Sequence, residues 1–181
     1  MSRPASLAIT LLVTLCGTAP GATLQQLSMD EMSKQATSIV RASVSGSYTT
    51  VLNSTIYTHY RLQVSETWKG IAPAELMLPG GVANGARQSF PGVPDLTSGS
   101  EYVLFLWKSS STGITHVLGL TQGLYNVSLQ ADGSALAWRP KIGEMMLDAN
   151  GRKVADQPVS MKLSDLKGRV RQISGNIGLT K

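Results

Sequence analysis

Few side chains in this sequence are of a type and spacing that would do chemistry. His59 and His116 are its two histidines, far apart and each alone in a strand-like stretch, whereas a zinc site needs three or four His, Cys or carboxylate ligands at close spacing. Histidines on a surface or rim are the reading, with no metal and no cofactor. Glu66 is the one charged residue among the apolar positions of Ile56–Trp68, a place where an acid can be perturbed toward function. With no second carboxylate beside it, general acid–base work lacks its other player, so an Arg or Lys partner near a barrel end is expected. No His-Glu-x-x-His or Gly-x-Ser-x-Gly occurs, and no helix opening on Lys-Ser or Lys-Thr follows Gly80-Gly81. No catalytic residue is expected, and the chain is read as a non-enzyme.

Those few side chains must be positioned by strands. From Thr55 to Gly70 the sequence TIYTHYRLQVSETWKG alternates, with Ile56, Tyr60, Leu62, Val64 and Trp68 on one side and Tyr57, His59, Arg61, Gln63 and Lys69 on the other. A period of two buries one set and leaves the other in water. The element is one long half-buried strand that forms only as part of a larger sheet. Tyr57, His59 and Arg61 then share its polar face. Such a trio could stack nucleic-acid bases in a basic groove, but a neutral core and a secretory leader argue against nucleic acid.

That leader is the first 21 residues, which have a basic start at Arg3, an apolar run from Leu7 to Leu15 and small residues after it. This is the pattern of a cleaved secretory signal, with Ala19 and Gly21 placed for a cut before Ala22. A membrane span would need about 20 apolar residues. Cys16 is the only cysteine and would leave with the signal, so the mature chain would hold no disulfide and no thiolate. Export without disulfides points to a bacterial envelope or extracellular location.

The formal charge of +5 is unevenly spread. Between Ala22 and Pro140 seven Lys/Arg balance seven Asp/Glu, while from Lys141 onward eight basic residues face four acidic ones. Three units are therefore expected: a signal at 1–21, a β-domain at 22–140 and a basic tail at 141–181 with a helix from Ser164. Gly168 weakens that helix by about 1 kcal/mol, so it depends on docking. Contact with a membrane or an anionic envelope polymer through Lys167, Arg169 and Arg171 is the weaker alternative function.

Within 22–140, Ser28 and Glu31 form a capping box for a short helix, followed by a strand at Ile39–Val44 and a polar connection over Gly46–Ser54. A further strand runs over Ala74–Leu78, and Tyr102–Trp107, YVLFLW, is a central strand covered on both faces. Ile114–Leu120 is another, with Gly119 and Gly123 marking a bulge or a sharp bend at a barrel corner. Asp132-Gly133 reads as a two-residue hairpin turn placing Leu129 opposite Leu136 and Val127 opposite Trp138. Gly80–Ser100, rich in glycine with Pro91 and Pro94, reads as a long structureless loop, and loops of that length are commonly functional. Arg87 and Phe90 are its candidate contact residues. The fold class expected is all-β: a small OB-like antiparallel barrel of five to seven strands, with a short N-terminal helix and a C-terminal helix.

In this order, IVRASVSG, TIYTHYRLQVSETWKG, EYVLFLW and VLGLTQGLYNV resemble a family of bacterial secreted β-barrel proteins of unknown function, some of which are met near secreted zinc metalloproteases. The helix-then-strand opening and the long strand ending in Lys-Gly are also similar, distantly, to the OB-type barrel of netrin-like modules, which include the tissue inhibitors of metalloproteinases. The resemblance implies a barrel and a habit of binding proteins. It does not carry the inhibitors' mechanism, which uses an amino-terminal cysteine that this mature chain would lack. The expected function is an exported protein-binding module acting on or beside secreted proteases, with another extracytoplasmic protein as partner and Tyr57, His59, Arg61, Arg87 and Phe90 as binding candidates.

Overall fold

The computed structural model describes residues 22–177; the leader expected at 1–21 lies outside them. The chain is mostly β-sheet with two α-helices. In order it forms β1 (Thr23–Gln25), α1 (Met29–Gln35), β2 (Ser38–Leu52), β3 (Thr55–Lys69), β4 (Glu75–Pro79), β5 (Gly81–Ala83), β6 (Ala86–Gln88), β7 (Glu101–Lys108) and β8 (Thr115–Val117). A 3-10 turn (Leu120–Gly123) then leads to β9 (Leu124–Leu129), β10 (Ala135–Arg139), β11 (Met145–Leu147), β12 (Lys153–Val154), β13 (Val159–Lys162) and α2 (Leu163–Ile177).

The main sheet has the order β13-β10-β9-β7-β2-β3-β4, with β8 also paired to β7. Its ladders are not closed into a barrel, contrary to the OB-like expectation. The edges of β4 and β8 approach one another, but a side chain bridges them where a ladder would be needed: His116 Nδ1–H donates to Met77 O at 3.2 Å. The other arm of the sheet runs on through β10 to β13.

Strand β7 divides the interior. Tyr102, Leu104 and Leu106 join Val40, Ala42, Val44, Tyr60, Leu76 and Leu78 in one core. Val103 and Phe105 face a second core with Met32, Ile39, Trp68, Tyr125, Leu166 and Val170, under the two helices. A strand covered on both faces is apolar throughout for this reason. The capping box of α1 is present, with Glu31 N–H donating to Ser28 Oγ at 3.2 Å and Ser28 N–H donating to Glu31 Oε2 at 2.8 Å. The stretch expected as a basic tail supplies β11–β13, and Leu163, Leu166 and Val170 of α2 are part of the second core.

Four local readings change. The polar connection expected over Gly46–Ser54 is strand: β2 runs to Leu52 and turns into β3 through Asn53 and Ser54, both at positive φ. Thr, Tyr and Val suit an extended ribbon whatever their polarity. Gly80–Ser100 is not structureless, because Val82 pairs with Arg87 and Ala83 with Ala86 around an Asn84-Gly85 turn, the residue pair that type I′ hairpins favour. The last hairpin is one residue out of the expected register: Leu129 faces Ala135 and Val127 faces Ala137. Its loop is Ala131-Asp132-Gly133, closed by Gly133 N–H donating to Gln130 O, with Gly133 at φ +79°. A three-residue loop with a left-handed third residue shifts every pair by one.

The fourth change concerns β3 itself. Ala42 pairs with Val64 but Arg41 with Glu66, leaving Ser65 as a bulge. A bulge inserts one residue and reverses the facing of the residues after it until the next irregularity, which here falls at Trp68, between the pairs Val40–Thr67 and Ile39–Lys69. Leu62 and Val64 pack on the first core, whereas Trp68 packs on the second, and Glu66 turns with it toward α2.

Candidate functional site

Glu66 meets the basic partners expected of it. Arg41 Nη1 lies 3.2 Å from Oε1, Trp68 Nε1–H donates to Oε2 at 3.1 Å, and Lys167 Nζ of α2 pairs with Oε2. Arg41 also forks onto Glu101. The Lys167 hydrogen bond, ahead of those from Trp68 and Arg41 and against the penalty of burial, holds the Glu66 carboxyl down at about 2. Its folded-state value lies below the ordinary 4.5, so the stability it contributes is present above about pH 4.5 and is lost as pH falls through about 2. Wild type and Glu66→Gln unfolded in urea across that range should therefore differ at neutral pH and converge in acid. A gap that stays constant down to pH 2 would contradict the assignment.

The sequence candidates fall into two groups on opposite faces of β3. Tyr57, His59 and Arg61 occupy the outer face of the β2–β3 ribbon. There Tyr48 lies directly across from His59, ring on ring at 4.5 Å and 12°, and Arg61 covers Tyr48 at 5.2 Å. His59 Nδ1–H donates to Glu75 Oε1 at 2.7 Å, its Nε2 meets Thr50 Oγ1 at 2.8 Å, and Tyr48 O–H donates to Glu75 Oε2 at 2.9 Å. Burial works to raise the Glu75 carboxyl, but the His59 and Tyr48 donors outweigh it and hold it below the ordinary range. Both His59 and Arg61 are thus engaged within the ribbon, and Tyr48, Thr50 and Glu75 are the partners that strand spacing alone did not name. One signal was available: a two-residue turn at Asn53-Ser54 puts residue 48 opposite residue 59.

Arg87 and Phe90 lie on the other side. The β5–β6 hairpin folds over the inner face of the ribbon, held by Gln88, whose Oε1 accepts from Ile56 N–H at 2.7 Å and whose Nε2 donates to Ser54 O at 2.9 Å. Gly81 seats against Thr58 and Thr49 where a Cβ would not fit. Beside this hairpin a cleft of ≈ 180 Å³ is lined by Tyr60, Leu78, Val93, Asp95, Arg87 and Phe90, among others. Tyr60 O–H donates to Asp95 Oδ1 at 2.7 Å, and burial, then that carboxylate, pushes the phenol up to about 12. It stays a neutral donor. Phe90 is 41% exposed and Arg87 is exposed, so a floor of mixed polar and apolar side chains is flanked by one aromatic ring and one guanidinium. Aromatic residues and Arg are enriched in protein contacts relative to the rest of a protein surface.

Of the three cations on the α2 face, Lys167 is paired with Glu66, and Arg169 Nη2 lies 2.9 Å from Asp30 Oδ1. No group of three or more His, Cys, Asp or Glu that could hold a metal occurs among the described residues. No helix among them is long and apolar enough to cross a membrane.

Fold and site together define a mostly β protein with an open sheet, a two-stranded ribbon continuing from it and a small cleft of mixed lining beside a covering hairpin. No protein-family model, no curated protein and no solved structure matches the chain.

Proposed function

We propose that the chain is a non-enzymatic, exported protein-binding module whose contact surface is the cleft bordered by Arg87 and Phe90. The observation that supports this reading is the exposure of an aromatic ring and a guanidinium at the mouth of a depression of mixed polar and apolar lining, beside a hairpin fastened to the sheet by Gln88. A surface held this way loses little conformational freedom when a partner docks. The polar trio Tyr57, His59 and Arg61 lies on the opposite face of the ribbon, where Thr50 and Glu75 hold the His59 ring and Arg61 covers Tyr48. The partner is another extracytoplasmic protein, with secreted proteases as the first class to try.

Chemical crosslinking of the protein in envelope extract should capture a discrete partner, and the double substitution Arg87→Ala, Phe90→Ala should lose it while leaving the melting temperature within a few degrees. Capture undiminished by that double substitution would remove the cleft from consideration. The tail alternative, adsorption to anionic polymer or lipid, is the less favoured because two of its three helix cations already have carboxylate partners.

A further inference from the structure

The β2–β3 ribbon carries an open strand edge. Strand β2 is paired with β7 only from Ser38 to Ser43, and Val44 adds a last pair of bonds to Ser100 and Gly99. Beyond that, on the side away from β3, no strand among the described residues accompanies it to Leu52. Ser47 to Leu52 are all exposed, Val51 and Leu52 at 51% and 50%. The direction of the free groups is set by the ladder. Ile56, opposite Val51, turns its N–H to Gln88 and its C=O to Gly80, away from β2. In an antiparallel pair opposed residues turn the same way, toward or away from one another, and successive residues alternate. Val51, Thr49 and Ser47 therefore present their N–H and C=O groups on the open edge.

Native edges of this kind are blunted by lysine, by proline, by a bulge or by a cover. Here no charged residue and no proline occurs between Ser43 and Thr58, and the nearest bulge on β2, between Val44 and Gly46, lies at the ribbon's base. An edge without charge is also the kind that can meet itself, since a two-fold axis sets each residue opposite one of its own strand and any like-charge pair would be penalised.

We infer that this edge pairs antiparallel with the same edge of a second copy of the chain, about a two-fold axis near Thr49. Thr49 then faces its own equivalent, Ser47 faces Val51, and Tyr48 faces Thr50 on the outer surface. The three outward-turned residues of each copy exchange about six main-chain hydrogen bonds. Leu52 of each ribbon tip comes to lie against Gly46 at the base of the other, so the most exposed apolar side chains of the tip are covered by the same act. The inference is independent of the Arg87 and Phe90 cleft, which lies on the ribbon's inner face.

Sedimentation of the full chain over a dilution series tests it. Ser47→Lys with Val51→Lys puts lysine opposite lysine in both pairs, and Ser47→Glu with Val51→Glu does the same with glutamate. Each should weaken dimerisation about tenfold or more, and an equimolar mixture of the two should restore a mixed dimer. Near-UV circular dichroism of each variant, unchanged from wild type, keeps misfolding out of the interpretation. A wild-type monomer at every concentration would overturn the proposal, including one whose Thr49 and Val51 amides resist hydrogen exchange because another part of the same chain covers them. So would a dimer that both double variants retain, or a monomer that captures extended peptides of other proteins along this edge.

Discussion

Asp156→Ala should cost about 3–5 kcal/mol of folding stability, the usual range when one member of a buried ion pair is removed. Arg139 ends β10 and Asp156 lies between β12 and β13, both under a tenth exposed. The guanidinium grips the carboxylate at two points, 2.6 Å and 3.0 Å, and the Ile142 N–H donates to the same carboxylate at 2.8 Å. Burial disfavours both charges, but the fork and the amide outweigh it, leaving Asp156 acidified and Arg139 held charged. Without Asp156 the guanidinium keeps its charge in a place where water cannot reach it well. Replacing both residues by apolar ones of similar volume, Arg139→Met with Asp156→Leu, should recover much of the loss, because the desolvation cost of both charges disappears with them. Urea unfolding of the two variants decides it. A loss below about 1 kcal/mol for Asp156→Ala would mean that the segment from Lys141 to Gln157 is not anchored through this pair.

Gly70→Ala is the second large effect, and Gly133→Ala is its control. Both glycines sit in the left-handed region, at φ +66° and +79°, where an L side chain costs roughly 1–2 kcal/mol. At Gly133 a Cβ would meet open space, so that conformational cost is all that is expected. At Gly70 the Cβ would fall far inside contact distance of the Thr37 carbonyl oxygen. Thr37 cannot easily retreat, since its N–H donates to Leu106 O at 2.8 Å and Lys108 N–H donates to its Oγ1 at 2.9 Å. The end of β3 would have to leave the α1–β2 junction, and stability should fall by several kcal/mol, a loss in the range of severe backbone strain. Equal melting temperatures for the two variants would show that the turn relaxes and that Gly70 is needed only for its backbone angles.

Both effects arise where parts of the chain remote in sequence come into contact, and the proposed functions rest on the same kind of juxtaposition. The ribbon exposes an edge because β7 stops pairing with β2 at Ser43. The cleft exists because the β5–β6 hairpin is folded over Thr49 and Thr58. If the dimer forms, the two clefts would lie at the bases of two ribbons joined edge to edge, and a partner with two copies of its own epitope would gain from binding both.

What the sequence by itself determined is local and periodic. Alternation named β3, the unbroken apolar run of Tyr102–Trp107 named the central strand, and Ser28 with Glu31 named the start of α1, because each depends on residues a few positions apart. The Asn84-Gly85 hairpin was equally legible, and a reading weighted toward glycine and proline content passes over it. Only the tertiary structure decided the rest. The bulge at Ser65 reverses Glu66 and Trp68, and nothing between residues 55 and 70 announces it, since it is a mismatch of register with β2. Partnership of His59 with Glu75, of Glu66 with Lys167 and of Arg139 with Asp156 spans sequence separations that no period reaches. Whether the sheet closes is decided last of all. Closure is a property of its two outermost strands, and a chain read residue by residue contains no information about an edge until every other pairing has been made.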